Sequence, residues 1–101
     1  MIKVSIKKNG NRITFLEIKG HAKSAEYGKD LVCAGVSAIV TGGLNNLQDL
    51  DNYEIEFKEG LVRVKVLEDI SEHDEVVLET IITSLRTVEE SEKPFIEIKN
   101  L

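Results

Sequence analysis

Tryptophan is absent, and cysteine, proline and methionine occur once each in the 101 residues. A single cysteine cannot close an internal disulfide, so the expectation is a reduced domain in the cytoplasm. Aromatic residues make up 5% of the chain, so its core must be mainly aliphatic. No apolar run reaches the roughly 18 residues of a membrane span, and no membrane association is expected. Basic residues are in deficit, 13 against 18 acidic, for a net charge of −5. That balance argues against a nucleic-acid module, which usually carries a basic stripe. One cysteine and two histidines also lack the spacing of metal ligands, so neither metal nor cofactor is expected.

What is present is an ordinary globular composition, 42% hydrophobic and 31% charged, in a chain long enough for one domain over residues 1–101. Residues 2–8 alternate Ile2, Val4 and Ile6 with Lys3, Ser5 and Lys7, which is a strand and not the apolar core of a signal peptide. Residues 11–18 form a second strand, joined to the first by the hairpin signal Asn9-Gly10. Residues 19–30, "KGHAKSAEYGKD", have no period and two glycines, and read as a long polar loop of the kind that carries function.

A helix is expected over residues 31–49, with Asp30 as N-cap and Val32, Val36, Ile39, Val40 and Leu47 as its buried stripe. Gly35, Gly42 and Gly43 each weaken it by roughly 1 kcal/mol relative to alanine, which suggests close packing or an early end. Two alternating strands follow at 53–58 and 61–67, joined at Glu59-Gly60. A second helix runs over 72–91, opened by a box-like start at Ser71 and Asp74. Its stripe is Leu78, Ile81, Ile82, Leu85 and Val88. A last strand at 95–100 follows Pro94. The order ββαββαβ predicts a two-layer α+β domain with helices packed on a mixed or antiparallel sheet.

Cys33 and His21 carry the chemistry that is legible. With Asp30 as cap, Cys33 is the third helical residue, beside N–H groups that lack intrahelical partners. These favour an anion, and a thiolate is one. They could also receive a developing oxyanion. Cys33, Ser37, Thr41 and Asn45 recur every four residues as a small polar ridge beside the apolar stripe. His21 follows a strand and Gly20, and twelve residues of chain can return it to the sulfur for proton transfer. Asp30 could orient His21 as well as cap. Composition and spacing leave the bland reading open, a small core cysteine and a solvated histidine. His73, among Glu72, Asp74 and Glu75, reads as solvated surface.

The residues G-H-A at 20–22, G-x-D at 28–30 and V-C-A-x-V-S at 32–37 carry a more specific signal. In this combination the chain resembles the ribosomal-processing cysteine proteases called Prp, across its whole length and element order. The resemblance implies a catalytic pair of Cys33 as nucleophile and His21 as base, with Asp30 as a candidate third member. It implies that Ser37, Gly20 and Gly28 line the substrate site, the two glycines bounding a mobile loop. It further implies a homodimer that removes a short N-terminal extension from large-subunit ribosomal protein twenty-seven. Two readings without peptide cleavage stand beside it: an acidic dimeric module that binds ribosomal protein during assembly, and a redox sensor built on Cys33.

Overall fold

The computed structural model describes residues 1–22, 25–26 and 30–101. Five strands form one mixed sheet: β1 (Ile2–Asn9), β2 (Arg12–Lys19), β3 (Tyr53–Lys58), β4 (Leu61–Val66) and β5 (Ile96–Asn100). Their spatial order is β3-β4-β2-β1-β5, with β1 and β5 parallel and every other pairing antiparallel. Helices α1 (Leu31–Leu44) and α2 (Glu72–Ser91) complete the ββαββαβ order. Alternation decides which face is covered: Ile2, Val4 and Ile6 of β1 and Leu16 and Ile18 of β2 are buried. Their neighbours in sequence form the other face. Leu78 and Leu85 of α2 are 0% exposed. Burying one such side chain contributes about 1.5–3 kcal/mol.

α1 ends earlier than its apolar spacing predicts. Past Leu44 the chain tightens, with Asn46 N–H donating to Gly43 and Leu47 N–H to Leu44. The next two amides, of Gln48 and Asp49, donate to the carboxylate of Asp74 at 3.0 Å each. A competing buried acceptor therefore takes the amides that a longer helix would need. Leu47 is still buried, but beyond the helix, and Leu44 fills its place in the stripe. Gly43 lies at the helix crossing, where an added Cβ would overlap the side chain of Ile81.

The start of α2 also differs from the predicted capping box. Ser71 Oγ accepts the Asp74 N–H at 3.2 Å as expected. The Ser71 N–H instead donates to Asp49 Oδ2 at 2.7 Å, because the Asp74 side chain turns inward. Asp74 is 0% exposed and also accepts the Tyr53 hydroxyl at 2.7 Å. His73 Nδ1 lies 2.9 Å from Asp74 Oδ1, so this histidine, though exposed, is tied to the same carboxylate.

Candidate active site

The site is built where β2 ends. Gly20 has φ +97, a conformation glycine adopts without strain, and a Cβ there would stand 2.6 Å from the Met1 carbonyl oxygen. Its N–H donates to Gly60 O at 2.9 Å, which pins the strand end to the β3–β4 turn. His21 is thereby held over that turn: a Cβ on Gly60 would lie 3.2 Å from His21 Nε2. Ala22 turns inward and is buried. Its N–H donates to Cys33 Sγ at 3.2 Å.

The sulfur sits on the first turn of α1 and is half-buried. Asp30 caps that turn, its Oδ1 accepting the N–H groups of Val32 and Cys33 at 3.0 Å each. The cap reading of Asp30 thus has a direct geometric basis. It also changes one expectation. The Cys33 N–H, read from sequence as a free donor for an oxyanion, faces a carboxylate. Direct support at the sulfur comes from Ala22 instead.

His21 and Cys33 line one cavity of about 390 Å³, together with Gly20, Ser37 and Thr41. Its apolar wall includes Val36 and Val40 of α1 and Phe57 and Val62 of the β3–β4 hairpin. Phe57 is 56% exposed, since α1 leaves that end of the sheet uncovered. Among the described residues no hydrogen bond joins the imidazole to the sulfur. A larger groove of about 940 Å³ runs between the end of α1 and α2; it holds His73 but neither His21 nor Cys33.

Five of the residues expected at the site are therefore located: Gly20, His21, Cys33 and Ser37 line the cavity, and Asp30 caps the helix behind it. Gly28, and with it the reading of a mobile loop, lies outside the described residues. Sequence reasoning missed Ala22 as a main-chain donor and the β3–β4 turn as the opposite wall. The turn glycine was visible as Glu59-Gly60, but nothing local says that it meets Gly20. Among the described residues no group of three His, Cys, Asp or Glu side chains could hold a metal ion, and no helix is long and apolar enough to cross a membrane.

Comparison with known proteins assigns the chain to a family. The family model for the cysteine protease Prp matches residues 1–97. The ribosomal-processing cysteine protease Prp of Staphylococcus aureus (strain Mu50) is 33% identical over 95 residues, spanning 89% of this chain and 90% of its own. That of Bacillus subtilis (strain 168) is 33% identical over 107 residues, spanning 92% and 91%. The fold superposes on the crystal structure of S. aureus Prp with a covalently linked product peptide at TM-score 0.90, with 29% identity and full coverage of both chains. The chain is a cysteine protease and belongs to the Prp family of ribosomal-processing proteases.

Proposed function

We propose that this protein removes the short N-terminal extension of large-subunit ribosomal protein twenty-seven, with Cys33 as nucleophile and His21 as base. The observation that carries this reading is the shared cavity: a helix-start thiol and a strand-end imidazole line one apolar-walled recess. That the S. aureus relative is known with a covalently linked product peptide supports a covalent route.

In this scheme His21 swings from Gly60 towards the sulfur as the peptide fills the cavity, since such contacts often tighten only with substrate bound. The imidazole takes the Sγ proton, and the thiolate attacks the scissile carbonyl carbon. The carbon–nitrogen bond then breaks, His21 returns the proton to the leaving amine, and a thioester on Cys33 remains. Water, deprotonated by His21, adds to that carbonyl. The carbon–sulfur bond breaks, the acid leaves and the thiol is restored. The Ala22 N–H holds the sulfur in place and supports its negative charge. Gly20 and Ser37 border the bound peptide, and Asp30 fixes the helix turn that presents the sulfur. The reading carries with it a cytoplasmic homodimer that needs no cofactor.

The test is mass spectrometry of the extended ribosomal protein after incubation with this protein, beside a Cys33→Ala control. The expected result is loss of one defined N-terminal peptide with the intact cysteine only. An extension left whole by the folded wild-type protein would overturn the substrate assignment.

A further inference from the structure

Both helices cover one face of the sheet, and the opposite face is formed by the alternate residues of all five strands. Strand register sets these side chains in rows. One row reads Glu56, Arg63, Glu17, Ser5 and Lys99; its neighbour reads Lys58, Leu61, Lys19, Lys3 and Glu97. A third reads Glu54, Lys65, Phe15 and Lys7.

The carboxylates of this face are all engaged within it. Glu17 and Glu56 hold Arg63 at 2.8 and 3.0 Å. Glu54 lies 3.7 Å from Lys65, and Glu97 lies 3.6 Å from Lys99. Lys58 shares Glu56 at 3.6 Å. Lys3, Lys7 and Lys19 are left over, exposed and in no ion pair among the described residues. Lys3 and Lys19 stand directly opposite each other. Like charges so placed destabilise a strand pair. Glu97 stands on the other side of Lys3 in the row, but among the described residues no carboxylate forms an ion pair with Lys3 or Lys19, on a face that neither helix covers, which is where a ligand is to be sought.

We propose that this open face docks single-stranded nucleic acid, with phosphates on Lys3, Lys7 and Lys19 and a base on Phe15. The three lysines form a strip. Lys3 and Lys7 lie about 13 Å apart along one strand. Lys19 stands about 5 Å across from Lys3. Phe15 is half-buried and flanked in its row by Lys7 and Lys65. An aromatic face among cations suits a stacked base between phosphates. An anionic membrane surface would call for apolar side chains that insert, and this face offers only Phe15 and Leu61. Net charge does not describe this face: the chain carries −5, yet three of the six cations that have no ion pair among the described residues stand together on it. Lys19 also leads directly into Gly20 and His21, so the strip ends beside the cavity.

The test is fluorescence anisotropy of the whole protein with labelled oligouridylate and oligodeoxythymidylate of about twelve nucleotides, over a salt series. Binding of either, with log Kd rising by about 2 per decade of salt, is expected for three neutralised phosphates. Replacing Lys3, Lys7 and Lys19 together by Gln should weaken binding at least about tenfold and flatten the salt slope. Phe15→Leu should weaken it several-fold at unchanged slope, and the pair Arg86→Gln and Lys93→Gln, exposed and off this face, should leave it within about twofold. Circular dichroism establishes that each variant is folded. No binding by wild type at low salt, equal loss in the Arg86/Lys93 pair, or equally tight binding of polyglutamate or anionic vesicles would overturn the proposal.

Discussion

The main-chain N–H of Ala22 donates to Sγ of Cys33 across 3.2 Å, so the residue that follows the histidine holds the sulfur. The chain just past β2 and the start of α1 are thereby tied together beside the two residues proposed for the chemistry. Cys33→Ala and Cys33→Ser should reduce peptide cleavage to background, because neither supplies a thiolate. His21→Ala should lower turnover by about a hundred- to ten-thousandfold, the usual contribution of a positioned general base. Steady-state cleavage of a peptide spanning the scissile bond measures both. Because His21 is exposed and lies over the Gly60 turn, its variant should melt within a few degrees of wild type.

Asp30 separates capping from chemistry. Its carboxylate accepts two helix-start N–H groups, an arrangement that Asn can largely reproduce. Asp30→Ala should therefore cost about 1 kcal/mol of stability, or about 4–8 °C in Tm for a domain of this size. Asp30→Asn should recover most of that loss. Cleavage by the Asn variant near the wild-type rate is the expected result. A stable Asn variant without activity would instead make the charge of Asp30 part of the chemistry.

Asp74 sets the acid limit of the fold. Burial opposes its charge, but the Asp49 N–H, His73, the Gln48 N–H and the Tyr53 hydroxyl hold its carboxyl down at about 2, against an ordinary 3.8. Tyr53 is pushed the other way, above the ordinary phenol range, by burial and by its hydrogen bond to that carboxylate. The folded value of Asp74 lies below the unfolded one. Its stabilisation, about 2 kcal/mol, is complete above about pH 4 and is lost as pH falls through about 2. Asp74→Asn should remove that pH dependence. It should also cost several kcal/mol at neutral pH, roughly 3, since donors built for an anion lose it. Denaturant melts from pH 7 to pH 2 distinguish these outcomes.

Asp74 also marks what could be read from the sequence and what could not. Strands and helices were legible because Ile2-Val4-Ile6, Tyr53-Ile55-Phe57 and the Leu78–Leu85 stripe repeat at the period of their own element. The cysteine and histidine were legible as chemistry because few residue types can act as nucleophile and base. The length of α1 was not, because its end is decided by an acceptor 25 residues away in sequence, Asp74 against the Asp49 amide. The far wall of the cavity was hidden for the same reason. Gly20 and Gly60 meet only once β2 pairs with β4, and no local pattern records that pairing. Charge segregation depends on the same register, so composition reported only the sum.

The three glycines of α1 give a test of packing against propensity. Each weakens a helix by roughly 1 kcal/mol relative to alanine, so propensity alone predicts that all three replacements stabilise. At Gly35 and Gly42 an added Cβ meets nothing within 4 Å. Gly35→Ala and Gly42→Ala should each raise stability by about 0.5–1 kcal/mol. At Gly43 the added atom would overlap the side chain of Ile81, which is 2% exposed. Gly43→Ala should therefore destabilise by about 1–3 kcal/mol, as overpacked sites do. The double variant Gly43→Ala with Ile81→Val should recover part of that loss, because the shorter side chain gives up Cδ1, one of the two atoms in the way. Urea melts of the four proteins decide it: a Gly43→Ala variant as stable as Gly42→Ala would mean that the helices shift apart at no cost, and that this glycine does not set their spacing.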